Sequence, residues 1–358
     1  MSESRPLPQR DAFIVGVGAR TASGLTALQV TMSARALKFA PRESHLVDRN
    51  GDAIATARLM SIGDAVIGID RFVALGGPSL TQSAFPWLAA QRQRGLERPL
   101  PVIVALPSDT RPGFDPRVKK HFLRALEARS RVPIDHEKSH IVTGCRGGGV
   151  TAFTRALDEL RRGADVVAVG GVDSYFDPDV LEHLDVERRL HGLETENGFI
   201  PGEGAGFVLI AARRREPSLY QYGQILSACV ENEPRPHGSE EPSLALGLTL
   251  ALRRAVESAG LPERAIHWAL TDVANERHRV DEWMYAAARN HLAFAPEAKH
   301  DQPLLKTGDL GAASAAVLVV MAATRWQTGC AAGDMAVIAT QSDGPERGAM
   351  VVSKVASS

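Results

Sequence analysis

The stretch 143-TGCRGGGVTAF-153 sets a cysteine between a glycine and an arginine, follows with three glycines, and then opens an apolar, helix-like run. Glycine costs about 1 kcal/mol relative to alanine inside a helix. Three together at a helix start therefore imply close backbone approach or unusual φ/ψ at that place. The alternative, from this stretch alone, is an ordinary loop ending in a buried cysteine.

Working outward, 139-SHIVTG-144 reads as a short strand that delivers Cys145 to a strand-to-helix junction. The helix over about 150–163 carries Val150, Phe153, Leu157 and Leu160 on one face and stops at Gly163 after a basic end. A mostly apolar strand, 164-ADVVAVGGVDS-174, completes a β-α-β unit of the buried, parallel-sheet kind. Upstream stand a strand at 12-AFIVGVGA-19, a helix over 24–37, a strand at 101-PVIVAL-106 and a charged helix over 116–130. Gly16, Gly18 and Gly24 miss the GxGxxG spacing, which argues against a dinucleotide site. Downstream, 198-GFIPGEGAGFVLIAARR-214 turns through glycines into a strand ending in a basic cluster. The remainder repeats this alternation, with strands near 221–231, 266–274, 335–340 and 348–354 and helices over 243–260, 281–292 and 310–323. Alternating β and α elements predict two similar α/β halves, 12–214 and 215–358, behind a polar tail over 1–11.

Composition excludes several function classes. The 358 residues hold 41 basic and 42 acidic side chains, a formal net charge of −1, so there is no electrostatic case for nucleic acid or an anionic membrane surface. Cys145, Cys229 and Cys330 are too few and too scattered for a disulfide framework or a zinc site, and the histidines show no metal-ligand spacing. The start MSESRPLPQRD lacks the layout of a signal peptide, and the apolar run 310–323 is shorter than the roughly 20 residues a membrane span needs. A cytoplasmic, water-soluble protein is expected, with neither metal nor cofactor.

Together these pieces resemble the β-ketoacyl synthase branch of the thiolase superfamily. The opening 13-FIVGVGARTASG-24 looks like that family's first strand and turn, and 142-VTGCRGGG-149 falls where its nucleophilic cysteine begins the central helix. The pair 170-GGVDS-174 and 198-GFIPGEGAGFVLI-210 resembles its following strands, the latter most specifically, while 308-GDLGAASAA-316 is similar to its glycine-histidine motif and small-residue helix. The resemblance implies a layered αβαβα fold of two related halves, a homodimer or a heterodimer with a related synthase, and an acyl thioester on coenzyme A or an acyl carrier protein.

It also implies roles. Cys145, at a helix N-terminus where partial positive charge favours thiolate, stands where the acyl acceptor does, and Arg146, Gly147 and Gly344 fall beside the substrate. The family's two histidines are replaced. Asp272, with Asn275 close by, falls near the first, and Asp309 replaces the second after Gly308. Arg277 and Arg279 are candidate partners for these carboxylates. Lys306 offers a second cation, and His278, the nearest substitute imidazole, is expected to face solvent. The family's Phe-Gly-rich gate becomes 342-SDGPERG-348, in which Pro345 has no N–H to donate. An anionic neighbour raises a thiol pKa, so condensation is not expected. Two readings follow: slow acyl transfer or thioester hydrolysis through Cys145, with Asp272 and Asp309 as acid–base groups, or a non-catalytic adaptor, chaperone or chain-length-factor-like subunit.

Overall fold

A computed structural model describes residues 12–193, 195–212 and 219–355. The 1–11 tail and the 214/215 boundary lie outside them. The N-terminal part contains β1 (Ala12–Thr21), α1 (Ala27–Arg35), β2 (Arg42–Val47), β3 (Ala53–Thr56), α2 (Gly68–Gln93), β4 (Val102–Leu106) and α3 (Arg117–Ser130). It continues with β5 (His140–Thr143), α4 (Arg146–Arg161), β6 (Val166–Ser174), α5 (Pro178–Val186) and β7 (Glu203–Ala212). The C-terminal part contains β8 (Gly223–Asn232), α6 (Leu246–Ala259), β9 (Ile266–Thr271), α7 (Arg277–Arg289) and β10 (Phe294–Asp301). It ends with α8 (Leu304–Thr307), a 3-10 turn over Gly311–Ala313, α9 (Ser314–Gln327), β11 (Met335–Gln341) and β12 (Glu346–Ser353).

Ten strands run in the order β10-β9-β11-β12-β8-β1-β7-β6-β4-β5, while β2 and β3 form a separate hairpin. Divided between β8 and β1, the sheet yields two five-stranded units with one topology. Each places its first strand beside its fifth, then the fourth, the second and the third, with the same alternation of antiparallel and parallel pairs. The two related halves are therefore visible in strand order, although residue-level repetition is not.

Burial on both faces explains the near-continuous apolar strands. In β4, Ile103 and Ala105 face the central core, while Val102, Val104 and Leu106 face the outer one. α4 and α9 fill the central layer, α2 and α3 cover one outer face, and α6 and α7 cover the other. These five layers make the αβαβα arrangement. No helix among the described residues is long and apolar enough to cross a membrane.

Two boundaries differ from the sequence reading in ways that matter. α4 begins at Arg146, so all three glycines lie in its first turn. α7 begins at Arg277, which places Arg279 inside that helix's first turn. The glycines have separate reasons: a Cβ on Gly147 would meet Glu346 Cβ at 2.8 Å, and one on Gly149 would meet Ala315 Cβ at 2.6 Å. Gly148 has room, its Cβ reaching only Val142 at 3.8 Å.

Candidate functional site

β5 ends at Thr143 and Cys145 caps α4, so the strand-to-helix junction turns the thiol toward a cleft of about 820 Å³. Arg111, Asp173, Arg189, His237, Asp343 and Glu346 line the same cleft, as does Gly344. Burial is the largest influence on the thiol and Asp343 adds to it; Arg146 and Arg111 oppose, and the thiol is pushed up to about 11. The helix start does not leave all its donors free, since the Gly147 N–H donates to Ser342 Oγ at 2.8 Å.

Directly after Cys145, the Arg146 side chain runs inward and is fully buried. Its Nε donates to Asp309 Oδ1 at 3.1 Å and Oδ2 at 3.0 Å, and its Nη2 to Asp309 Oδ2 at 2.6 Å. Nη2 also donates to the Tyr175 hydroxyl at 3.1 Å, and Nη1 to Asp343 Oδ1 at 3.0 Å. Arg189 then joins Asp343, at 3.0 and 3.1 Å, to Glu276, at 2.8 and 3.1 Å. Arg279 closes the circuit, donating to Asp309 Oδ2 at 2.7 Å and lying 3.7 Å from Glu276 Oε2. Three arginines and three carboxylates thus alternate in a ring (Arg146, Asp309, Arg279, Glu276, Arg189, Asp343).

The ring's electrostatics follow from pairing in a desolvated place. Burial pushes the Asp309 carboxyl up, but Arg146 and Arg279 outweigh it and hold it to about 2. Asp343, whose side chain keeps 31% exposure in the cleft, is likewise carried well below the carboxylate range, Arg146 and Arg189 overcoming its burial. Asp272 behaves differently. It accepts from the Gln341 N–H at 2.9 Å and lies 3.4 Å from Arg279, yet burial dominates and its pKa is raised. Its Oδ1 is buried without a hydrogen-bond partner.

Of the residues singled out from sequence, Cys145 and Gly344 face the cleft, with Gly147 beneath it at the helix start. Arg146 and Asp309 are brought together, but as a buried ion pair behind the cleft wall. Asp272 lies further along the same buried cluster, linked through Arg279. Asn275 is not at the cleft: it is exposed, and its amide donates to the carbonyls of Glu196 and Gly198, fastening that loop. Lys306 also points elsewhere, its Nζ 5.9 Å from the Phe39 ring centroid. Arg279 partners the aspartates as the sequence suggests, whereas Arg277 lies outside, 3.6 Å from Asp281. His278 is half-buried rather than facing solvent. It stacks on His237 at 4.1 Å, and burial, then His237 and Arg279, push its pKa down to about 3.

The carboxylates that raise the thiol are Asp343 and Asp173, not the Asp272 and Asp309 that the motifs suggest. Sequence reasoning misses Asp343, Arg189, Glu276 and Tyr175 altogether. Of these, Asp343 is within its reach, because a carboxylate replaces an apolar gate residue in 342-SDGPERG-348. Glu276, His278 and Asp343 place ligand atoms within 4.8 Å of one another, but Arg189 occupies both carboxylates.

No family model matches the chain. Over 129 residues it is 31% identical to a Streptomyces coelicolor protein named actinorhodin polyketide beta-ketoacyl synthase 2, a match spanning 32% of this chain and 31% of that protein's length. A solved type II polyketide synthase complex of a ketosynthase with its acyl carrier protein, bound to a hexaketide, superposes with a TM-score of 0.78 at 12% identity, covering 98% of this chain and 100% of that one. The ishigamide ketosynthase/chain length factor superposes with a TM-score of 0.70 at 16% identity, covering 97% of this chain and 100% of that one. The chain has the thiolase-type fold of the ketosynthases and chain length factors, and its sequence resembles that β-ketoacyl synthase branch over about a third of its length.

Proposed function

We propose that this protein is a non-condensing, ketosynthase-like subunit of the chain-length-factor kind, which receives an acyl thioester chain in the Cys145 cleft without extending it. The observation that carries this reading is the ring. Decarboxylative condensation requires donors that stabilise an enolate as carbon dioxide leaves, and neutral imidazoles serve that purpose. In the positions matched to those imidazoles stand Asp309, ionised and bound by two arginines, and Asp272, held in the same buried cluster. Neither has an open line to the cleft. Each lost acid–base group costs about 10² to 10⁴ in rate, so condensation by this chain alone falls to a negligible level.

A partner subunit fits the same reading. β5 is the terminal strand on its side of the sheet, pairing with β4, and its outer edge is available to a second chain, either another copy or a related synthase. An acyl carrier protein or coenzyme A would deliver the thioester.

A second reading, acyl transfer to Cys145 or slow thioester hydrolysis, is favoured by one specific feature: the thiol lines an open cleft at a helix N-terminus. One experiment separates the readings. Purified protein is incubated with malonyl and acyl thioesters, and both products and intact-protein mass are recorded. No β-keto product and no adduct is the expected result. A stable acyl adduct lost in Cys145→Ala supports the second reading, and a Cys145-dependent β-keto product refutes both.

A further inference from the structure

The charged groups that line the Cys145 cleft pair off, with one exception. Arg111 donates to Asp173 at 2.7 Å, Arg189 holds Asp343 at 3.0 Å, and His183 stands 3.4 Å from Glu187. Among the described residues, Glu346 is the carboxylate of the cleft wall that forms no ion pair. Its neighbour Arg347 commits its guanidinium elsewhere, donating to Glu282 at 2.6 Å and to the carbonyls of Ser342 and Gly344 at 2.8 and 2.6 Å.

The unpaired carboxylate stands beside Cys145. Glu346 Oε2 is 3.1 Å and Oε1 3.7 Å from the point that a Cβ on Gly144 would occupy, so glycine directly before the cysteine is what leaves the carboxylate its place. The side chain is half-buried, and its protein partner is the Ser342 hydroxyl, which itself accepts from the Gly147 N–H at 2.8 Å. Burial raises the Glu346 pKa, and the Ser342 hydrogen bond and the charge of Arg347 do not offset it. A carboxylate drawn out of water without a cation is destabilised, and a cationic group brought into contact with it reverses that effect. Where the resemblance places an apolar gate, 342-SDGPERG-348 thus presents two carboxylates to the cleft, one held by arginines and the other open.

We propose that this cleft selects acyl groups that carry a basic amine, with Glu346 as the residue that recognises the ammonium. The inference rests on the reading that the cleft receives an acyl thioester, and it names the class of acyl group. Consecutive Cα atoms are about 3.8 Å apart, so a carboxylate packed against Gly144 lies about one residue from Cys145. An amine two or three carbons from the thioester carbonyl reaches it. A hydrogen bond between ammonium and carboxylate is about twice as strong as a neutral one. An aliphatic acyl group of the same length leaves Glu346 unpaired, and a carboxylated one is repelled, so the discrimination has both an attractive and a repulsive part.

The test uses the full chain and pantetheine conjugates in which a methylene replaces the thioester sulfur, so that binding is measured without transfer. Three acyl groups are compared by isothermal titration calorimetry: 3-aminopropanoyl, butanoyl and malonyl. The 3-aminopropanoyl conjugate is expected to bind at least about tenfold more tightly than the butanoyl one, and the malonyl conjugate most weakly. Glu346→Gln should bring the 3-aminopropanoyl conjugate down to the affinity of the butanoyl one. The comparison within the wild-type chain needs no variant to fold. Equal affinity of the 3-aminopropanoyl and butanoyl conjugates, tightest binding by malonyl, or a preference that survives Glu346→Gln overturns the inference and leaves the reading of the cleft standing. Binding of none of the three overturns that reading, and the inference with it.

Discussion

α4 and α9 occupy equivalent places, each following the third strand of its half and leading into the fourth, yet they begin with opposite chemistry. α4 opens with Cys145 at a cleft, and α9 is preceded by Asp309, buried and ionised. Arg146 connects the two starts, with its backbone on α4 and its guanidinium on Asp309. The charge that stands nearest to Cys145 in sequence is therefore spent on the interior. What this teaches is that a basic residue beside a nucleophile need not activate it: Arg146 still lowers the thiol's pKa from its place on Asp309, but burial and Asp343 outweigh it.

The sharpest way to break this comparison is to titrate the thiol. With its pKa pushed up to about 11, Cys145 is thiolate in only about one molecule in 10⁴ at pH 7. Iodoacetamide labelling of Cys145, followed by peptide mapping, should accelerate about tenfold per pH unit from pH 7 to 10. Asp343→Asn removes the principal carboxylate opposing the thiolate and should raise the rate at any fixed pH in this range. A rate that levels off near pH 7 would mean that α4 activates its cysteine after all, and the contrast with α9 would collapse.

Next in size is the link itself. Removing one member of a buried pair costs about 3–5 kcal/mol, because the partner charge is left uncompensated. Arg146→Met should destabilise the protein by this amount in urea denaturation, with Asp309 and Asp343 both losing a donor. Arg146→Met/Asp309→Asn should cost less than the sum of the two single variants. Strict additivity would show that the two helix starts are not energetically joined.

How much of this is legible in the sequence depends on the kind of signal. The layered fold is readable because strands such as 102–106 and 166–169 are apolar on both faces, and 198-GFIPGEGAGFVLI-210 is a specific pattern. α2 escapes sequence reading, since Pro78 and Pro86 lie inside it and mimic breaks. β10 escapes it too: FAPEAKHD at the sheet edge has neither an apolar run nor alternation. At the site, local motifs locate Cys145, Asp272 and Asp309, but partners far apart in sequence are invisible. Arg189 meets Glu276 and Asp343 only after folding, and nothing in 186-VERRL-190 marks Arg189 over Arg188. Lys306 shows the converse, because nearness to Asp309 along the chain does not bring it near the cleft.

Acidification separates the ring from its histidine neighbour. The folded pKa of His278, about 3, lies below its unfolded value of about 6.5, so the unfolded chain binds the proton first and stability declines as pH falls from about 6.5 toward 3. Asp309, about 2 when folded against about 3.9 unfolded, contributes stability that is present above about pH 4 and lost as pH falls toward 2. Chemical denaturation across pH 2–7 should therefore show two limbs. His278→Asn should flatten the upper one, and Asp309→Asn the lower one. If His278→Asn changes nothing between pH 4 and 6.5, the imidazole is not held neutral by the fold.

The smallest effects are expected at the three glycines, and they discriminate most finely between the two helix starts. Gly149 lies against α9, where an added Cβ would come within 2.6 Å of Ala315 Cβ. Gly149→Ala should therefore force the central helices apart and cost about 1–3 kcal/mol. Gly147→Ala should do similar damage against Glu346. Gly148 is different, because within this chain an added methyl meets only ordinary contact with Val142. Removing a glycine from a helical turn is favourable by up to about 1 kcal/mol, so Gly148→Ala should leave the fold slightly more stable in thermal denaturation. The same variant tests the partner. If Gly148→Ala folds normally but no longer associates in light scattering, the room at Gly148 is reserved for another chain, and the asymmetry between α4 and α9 extends to the assembly.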